Sequence, residues 1–538
     1  MADSHPSPAP EEKMSRPLDS DSSSTHSMPV PIATAEPELE KSTSKASQRT
    51  QRTGRSDRAP ATTAQDWDRD DDPDNPHNWS IPKKIYHTLT PALQSFTITF
   101  GSSVYSPSIP EVARDFHISE TAAIIPLSIY VLGLGIGPVV SAPISETYGR
   151  RAVYILFFPA SLLFTLGAGF SKSFGSLVAC RLLAGLCGSG CLAVGAGTNA
   201  DLFTHYHRAV SSAFFLMAPF FGPALGPAIG GYVAMKKGWR WTQWIILFWG
   251  VLAYAVTIFS KETYKRIILQ RRAKKLGLQP PKNPLPPGMS KMHFILVVTL
   301  LRPLTMLATE SIVAFFSIYT AFNFAVLFGF FAAFPVVFQS PYPQVQVYHF
   351  NVGESGLVFL GIGIGVVMAT LIFSIMDRLT YKKKTLKKRA QGDFAPLPPE
   401  ERLWPAMIGS FCLPISLFWF GWSARSDVHW ISPILATIPF GVGNLLVFCS
   451  CVLYLLDTYG PLAGASAAAA NGLLRYVVGA VFPLFTVQMY RALGVAWATS
   501  LLGFVTIALL PIPWVLYKFG PRIRQRSAYA QHAQPVAR

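Results

Sequence analysis

Twelve apolar segments of roughly 20 residues dominate this chain of 538 residues. Each is long enough to cross the ~30 Å hydrocarbon core of a bilayer as a helix. Hydrocarbon offers no partner to backbone N–H and C=O groups, so such segments must be helical. The sequence therefore predicts an all-α integral membrane protein with twelve transmembrane helices. The approximate spans are 86–108, 121–143, 152–170, 175–200, 209–234, 241–259, 312–338, 355–376, 404–424, 431–456, 462–485 and 493–517.

Positive charge is concentrated in alternate connections between the spans. The net charge is +17, and with a cytoplasmic N-terminus the inner connections and the C-terminal tail hold 26 Lys and Arg, against 7 in the outer connections. This bias matches the positive-inside rule. We therefore expect a multi-pass protein of the cell membrane with both termini in the cytoplasm. A nucleic-acid partner is excluded, because it would need the charge gathered on one soluble module.

The spans fall into two groups of six, as in transporters built from two similar halves. The first residues are rich in Ser, Pro, Thr and Ala and should be disordered. The predicted divisions are a cytoplasmic N-terminal tail at 1–80, a six-helix bundle at 81–260, a basic cytoplasmic linker at 261–311, a second six-helix bundle at 312–518 and a basic cytoplasmic tail at 519–538.

No metal or cofactor is expected. All six cysteines lie inside predicted spans and none has the spacing of a metal site. The acidic stretch 66–74 lacks the Gly and Glu of a calcium-binding loop, so we interpret it as solvated. The chain also contains no Gly-rich phosphate loop with Lys and Ser or Thr.

The fifth span carries a repeated Gly-Pro pattern. Its glycines recur every four residues on one face, which allows a partner backbone to approach closely, and its prolines remove backbone donors. We expect this face to act as a conformational pivot against span eight; ordinary helix packing is the alternative. The residues are Gly222, Pro223, Gly226, Pro227, Gly230 and Gly231.

A second group of residues lies at the inner membrane face. It should form a charge network, with a solvated positive-inside loop as the alternative. Its members are Glu146, Gly149, Arg150, Arg151 and Asp201.

Two arginines are the charged residues inside the spans. A charge within a span normally faces protein or water and has a function. Arg181 lies near the outer end of span four, so its side chain could instead extend to the interface. Arg475 lies deeper in span eleven.

These motifs resemble the major facilitator superfamily. The loop at Glu146 is similar to its cytoplasmic motif, with Glu in place of the usual Asp, and the stretch from Arg181 resembles its span-four motif. The Gly-Pro pattern of span five matches its antiporter motif. Over residues 75–526 the chain resembles the fungal twelve-spanner drug:proton antiporter family, in the branch of polyamine and multidrug exporters. Further likenesses lie at 75–79, 262–264, 302–310, 399–403, 483–485 and 511–513.

The resemblance implies two six-helix bundles that alternate access to a central site. It implies export of a small amphipathic drug, toxin or fungal secondary metabolite by proton antiport. The family associates the span-four arginine with proton coupling. No Asp, Glu or His lies mid-span, so the proton-coupling predictions are Arg181, Arg475 and Glu354, the last at the outer mouth of span eight. An interfacial carboxylate is the alternative for Glu354.

The substrate cavity should be lined by the inward faces of spans one, four, seven and ten. Each predicted lining residue could instead satisfy a hydrogen bond between helices. These residues are Gln94, Asn199, Tyr319, Asn323 and Asn444.

Other functions stay open at this stage. The alternatives are a polyamine exporter, which the lack of a mid-membrane acid disfavours, and a proton-coupled importer of the same fold. A membrane enzyme would need a His, Asp or Glu cluster at one face, and the sequence contains none. We expect a monomer whose partners are a small-molecule substrate, protons and the lipid bilayer.

Overall fold

The computed structural model describes residues 66–69, 71–281, 301–339 and 347–531. Three predictions lie wholly or partly outside these residues. They concern the disordered N-terminal tail 1–80, the Pro-rich stretch 280–287 of the linker and the end of the C-terminal tail after residue 531.

Long helices account for most of the described residues, which form no β-sheet. Helices α1 to α6 are Ile81–Ser103, Glu120–Tyr148, Arg150–Gly169, Phe174–Leu202, His205–Lys237 and Trp239–Ile258. Helices α7 to α12 are Ser311–Phe338, Val352–Ala390, Trp404–Ser423, Ile431–Gly460, 463–493 and 495–526. The described residues of the linker contribute two further helices, Lys265–Leu276 and Arg302–Thr309.

By length and apolar composition alone, ten of the described helical segments could cross a membrane. One of them, Ala463–Arg526, contains two spans, because the chain reverses at Gly494, where φ is +74° and only glycine is unstrained. Helix α1 is long enough but too polar to qualify by hydropathy, since it carries Lys83, Lys84 and many hydroxyl side chains. With these two spans added, the prediction of twelve membrane helices is confirmed.

The second half packs around α7, a helix rich in phenylalanine. The rings of Phe330 and Phe334 stack with centroids 4.6 Å apart, and Phe334 stacks on Phe420 of α9 at 5.3 Å. Offset and edge-to-face ring pairs add to the packing energy beyond their buried area. Lipid gives no hydrophobic drive for helices to associate, so this close packing is what holds the half together.

Gly222, Gly226 and Gly230 of α5 pack against α1, so for these three the predicted contact with span eight is wrong, and the role of the motif as a pivot stays a prediction. A Cβ added at Gly222 would lie 2.6 Å from the backbone nitrogen of Phe100, and one at Gly226 would lie 2.8 Å from that of Val104. Both contacts lie within the first half. The contact with α8 is made by the neighbouring face, where a Cβ on Gly231 would lie 3.1 Å from the Cα of Gly353.

The acidic stretch before α1 contacts the linker helix, so the prediction that it is solvated is wrong for Asp72. Asp72 is 3% exposed and pairs with Arg272 at 2.6 Å. Lys265 pairs with Asp66 at 2.7 Å. Burial raises the pKa of Asp72, but the hydrogen bond and charge of Arg272 outweigh it and hold that pKa below its ordinary value. The acidic stretch therefore holds the linker helix against the first half.

Candidate functional site

A cavity of about 1040 Å³ lies between the two halves. At one end it reaches the middle of the membrane helices, where Gly135 and Tyr476 line it. At the other end, its mouth, it is lined by residues of the face that carries the two basic connections, among them Asp201, Asp457 and Arg524. Most of the wall between them is apolar, as small-molecule sites usually are.

The opposite face of the molecule is closed by contacts between the halves. The side-chain amide of Gln488 hydrogen-bonds Thr121 at 2.9 Å, and Arg491 pairs with Glu120 at 3.4 Å. Nearer the middle, a Cβ on Gly135 of α2 would lie 2.9 Å from the Cβ of Tyr476 of α11. Together with the contact between α5 and α8, these form a surface that we call the outer seal.

The predicted charge network at the mouth is only partly assembled. Arg150 pairs with Asp201 at 3.2 Å and donates to the Ser145 hydroxyl at 2.7 Å. Glu146 lines the cavity but makes no ion pair with any described residue. Arg151 turns away and donates to the backbone oxygen of Ile258 at 3.1 Å.

The network contains one residue that the sequence reasoning did not assign to it, Glu262. Its carboxylate accepts the backbone N–H groups of Arg150 and Arg151 at 2.9 and 3.2 Å, which caps the N-terminus of α3. Gly149 makes room for it, because φ there is +101° and an added Cβ would lie 2.6 Å from the Glu262 carboxyl carbon. The resemblance of residues 262–264 to the family was the one indication in the sequence that Glu262 belongs to this network.

The second half repeats this arrangement with residues that the sequence reasoning missed. Arg402, two residues before α9, pairs with Asp377 and with Asp457, both at 3.0 Å. Its guanidinium lies 3.4 Å from the ring centre of Tyr381, as that of Arg150 lies 4.7 Å from the ring of Tyr264. The sequence held one indication of this second network, because Asp457 directly follows the tenth predicted span just as Asp201 directly follows the fourth.

Arg181 is buried inside the first half at 1% exposure, so it does not extend to the interface. It donates to the backbone oxygen of Gly101 at 2.7 Å and lies over the rings of Tyr105 and Tyr130 at 4.9 and 5.4 Å. Glu354 is exposed and caps α8, since it accepts from the backbone N–H of Asn351 at 2.9 Å. Neither residue lines the cavity.

Arg475 does line the cavity, near its closed end. Its guanidinium carbon lies 4.4, 4.6 and 4.7 Å from the ring centres of Phe448, Tyr476 and Phe324. No carboxylate among the described residues forms an ion pair with it. A cation is thus held by ring faces at the mid-span end of the site.

The five predicted cavity residues do not line the cavity, and this prediction is wrong. All are buried between helices. The Gln94 amide donates to Thr257 at 2.9 Å, and that of Asn199 donates to Ser212 at 2.9 Å. A sequence position identifies the span but not the face of the helix that meets the cavity. The residues are Gln94, Asn199, Tyr319, Asn323 and Asn444.

The described residues contain no group of His, Cys, Asp or Glu side chains arranged to hold a metal ion. The arrangement suits the binding of a small molecule between two bundles, with fixed charges at the mouth and one arginine at the closed end.

Curated proteins with similar sequences are transporters and efflux pumps of fungi. "Polyamine transporter 4" of Saccharomyces cerevisiae is 42% identical over 491 residues, which cover 87% of this chain and 73% of that protein. "Efflux pump FUBT" of Fusarium oxysporum is 40% identical over 84% of this chain and 75% of that protein. The multidrug transporter mdrA of Aspergillus fumigatus is 38% identical over 87% of this chain and 76% of that protein.

Solved structures with the same fold include the proton:xylose symporter XylE of E. coli. It superposes with a TM-score of 0.58 at 15% identity, over 82% of this chain and 96% of XylE. At that identity the likeness shows the fold alone. The sequence model of the Major Facilitator Superfamily matches residues 92–483. The chain is therefore a multi-pass membrane transporter, not an enzyme, and belongs to the major facilitator superfamily.

Proposed function

We propose that this protein exports small amphipathic organic compounds by proton antiport through alternating access. The observation that carries the proposal is the cavity, which is open at the basic face, sealed at the other and mostly apolar between. Such a wall suits an apolar or amphipathic body. The efflux pumps among its relatives support export as the direction of transport.

Alternating access requires the outer seal to open as the mouth closes. The seal is built from contacts that can part without breaking the packing of either half. They are glycine contacts of α5 with α8 and of α2 with α11, an exposed ion pair and one side-chain hydrogen bond. Exposed ion pairs contribute only ~0.2–1 kcal/mol each, so the Arg491–Glu120 pair adds little to the cost of opening. The Arg150 and Arg402 networks would then stabilise the mouth in one of the two states.

Proton coupling needs a group that can lose its proton, and arginine keeps its own. In this proposal Arg181 and Arg475 act as fixed charges. The carboxylates that meet the cavity in the described structure are Glu146, Asp201 and Asp457. They can exchange protons with the solvent at the mouth, which makes them better carriers than Glu354 on the opposite face.

We further propose a monomer in the plasma membrane, with both termini and both basic connections in the cytoplasm. Gln270→Cys in the linker and Thr385→Cys near the end of α8 should resist an impermeant maleimide in intact cells and react after permeabilisation. Asp427→Cys, in the connection between α9 and α10, should react in intact cells and serves as the positive control. Reaction of both inner positions in intact cells would reverse the orientation.

Transport itself is tested in proteoliposomes loaded with radiolabelled anionic, neutral and cationic amphiphiles. An imposed proton gradient should drive movement of at least one probe against its concentration difference, without ATP. The movement should stop when an ionophore collapses the gradient. Uphill movement that survives the ionophore would exclude proton antiport, and movement in the opposite direction would support the importer.

A polyamine exporter is the second candidate function. The identity with "Polyamine transporter 4" favours it. Spermidine among the cationic probes tests this function directly.

A further inference from the structure

Arg475 is the charged side chain at the closed end of the cavity. Three aromatic rings surround its guanidinium at 4.4 to 4.7 Å, and its Nε has no hydrogen-bond partner in the described structure. Its side chain is partly exposed, and the exposed part faces the cavity. The Nε itself is buried, and no described residue accepts a hydrogen bond from the rest of the guanidinium, so its other N–H groups are the donors left for a molecule in the cavity.

Ring faces attract a cation, but they do not neutralise it or accept its hydrogen bonds as a carboxylate does. A charge in a span is normally paired or has a function. Three carboxylates line the cavity, and none of them pairs with Arg475: Glu146 lies near Arg150 at the mouth, and the other two are already paired. Asp201 pairs with Arg150, and Asp457 pairs with Arg402, both at the mouth.

Arg181 shows what a structural arginine looks like in the same protein. It is 1% exposed, donates to a backbone oxygen at 2.7 Å and does not reach the cavity. Arg475 has none of these features. Both arginines contact aromatic rings, so these contacts do not explain why Arg475 lines the cavity and Arg181 does not.

The space beside Arg475 is free and mostly apolar. A Cβ added at Gly472 would meet no atom within 4 Å, so α11 leaves an opening three residues before the arginine. Phe328, Phe220 and Leu327 line the wall nearby. The cavity volume of about 1040 Å³ is ample for a drug-sized body.

We propose that Arg475 binds the carboxylate of an amphipathic organic acid, whose apolar body lies along the phenylalanine-rich wall. The guanidinium presents paired N–H donors that match a carboxylate in geometry and charge. A polyamine would bring like charge to the same place and finds no carboxylate there among the described residues. This inference rests on the proposed export function and names its substrate class.

The test measures binding, without any gradient, on the full chain in nanodiscs. The probes are 4-phenylbutyrate, its neutral amide 4-phenylbutyramide, and spermidine. The first two differ only in the charged group, so their affinity ratio isolates it. We expect the acid to bind roughly ten- to a hundredfold more tightly than the amide, as for a hydrogen bond to a charged group. Spermidine should bind more weakly than the acid.

The variants locate the effect. Arg475→Gln should bring the ratio of acid to amide close to one, while Arg475→Lys, which keeps the charge but loses the paired donors, should retain part of it. Lys388→Gln removes a positive charge from the mouth, where Lys388 pairs with exposed Asp393, and should leave the ratio unchanged. A melting curve of each variant shows whether it is folded. If Arg475→Gln is not folded, the acid-to-amide ratio of Arg475→Lys decides the test.

Several results would overturn the proposal. They are equal binding of acid and amide, no measurable binding of the acid at millimolar concentration, tighter binding of spermidine, or a ratio that Arg475→Gln leaves unchanged. If Lys388→Gln lowers the acid-to-amide ratio as much as Arg475→Gln does, the preference for the acid comes from the overall positive charge of the cavity and not from a site at Arg475. Export is tested separately, so a failed export assay with an intact binding ratio rejects the transport mechanism and keeps the anion site.

Discussion

Alanine at two glycines of α5 should separate packing within one half from contact between the halves. Gly226 faces α1, where an added Cβ would lie 2.8 Å from the backbone nitrogen of Val104. Gly231 faces α8, where it would lie 3.1 Å from the Cα of Gly353. The same methyl group is added to the same helix, so the two variants differ chiefly in what they touch.

The distances set the expected magnitudes. The nearest atoms are the Ser103 hydroxyl oxygen, which a Cβ on Gly226 would overlap, and the Val352 carbonyl oxygen, 2.5 Å from a Cβ on Gly231. Non-bonded atoms rest at about 3.5–4.0 Å, so these neighbours must move by about 1 Å or more. Overpacking of this kind costs roughly 1–3 kcal/mol, of which the better helix propensity of alanine returns about 1 kcal/mol. Gly226→Ala should therefore destabilise the fold by about 1 kcal/mol. The penalty of Gly231→Ala falls only on the conformation with a closed outer seal, and about 1.4 kcal/mol there shifts the two populations tenfold.

Two measurements distinguish the variants. Thermal unfolding reports the stability of the fold. The rate of cross-linking between Thr121→Cys and Gln488→Cys by a short bifunctional maleimide reports how often the outer seal is closed, since these side chains touch across it. Gly226→Ala should lower the melting temperature and leave the cross-linking rate unchanged. Gly231→Ala should slow cross-linking severalfold and leave the melting temperature nearly unchanged.

The reasoning is refuted if both variants slow cross-linking equally. In that case the glycine face would act across the halves after all, and its packing against α1 would not be its main role. A lowered melting temperature for Gly231→Ala without any change in cross-linking would likewise place that glycine inside a rigid unit.

Three further predictions concern the basic face and the buried arginine. Gly149→Ala should lower the melting temperature, because φ is +101° and the Glu262 carboxylate occupies the space of a Cβ; Gly175→Ala, which meets nothing within 4 Å, should not. The melting-temperature difference between wild type and Asp72→Asn should stay constant from pH 8 to 5 and shrink below about pH 4. The pKa of Asp72 is lowered in the folded protein, so the stability that its charge contributes is lost only as the pH falls through that range. A difference that already shrinks at pH 6 would contradict this. Arg181→Ala should lose thermal stability together with gradient-driven export, and full stability with lost export would instead favour a role in coupling alone.

The sequence predicted the spans and the fold class, because both follow from the length and apolarity of segments. It also predicted α1, which hydropathy alone does not single out, since the polar side chains of that helix face protein and not lipid. Gln94, for example, is fully buried against Thr257 of α6. A polar residue within a span thus predicts burial, but not the partner.

The face that each helix turns to the cavity could not be predicted. Asn199 and Asp201 lie two residues apart at the end of α4, yet only Asp201 meets the cavity. One residue of helix rotation changes a side chain's direction by about 100°, and that rotation is set by packing against several neighbours at once. The glycine face of α5 was assigned to the wrong partner for the same reason, because close approach of a backbone does not reveal whose backbone it is.

The contact between Asp72 and Arg272 also bears on the order in which the protein is made. The two residues are separated by 200 positions, and their pairing closes the first half with segments from its two ends. Ribosomes add roughly 5–20 residues per second, so this closure can form on the order of tens of seconds before residue 524 is added. The second half makes its comparable contact, Arg524 on Glu400 at 3.0 Å, only after that residue has been added. A nascent chain stopped between these points would carry a finished first half beside an open second half, and the finished half could serve as the surface on which the other assembles.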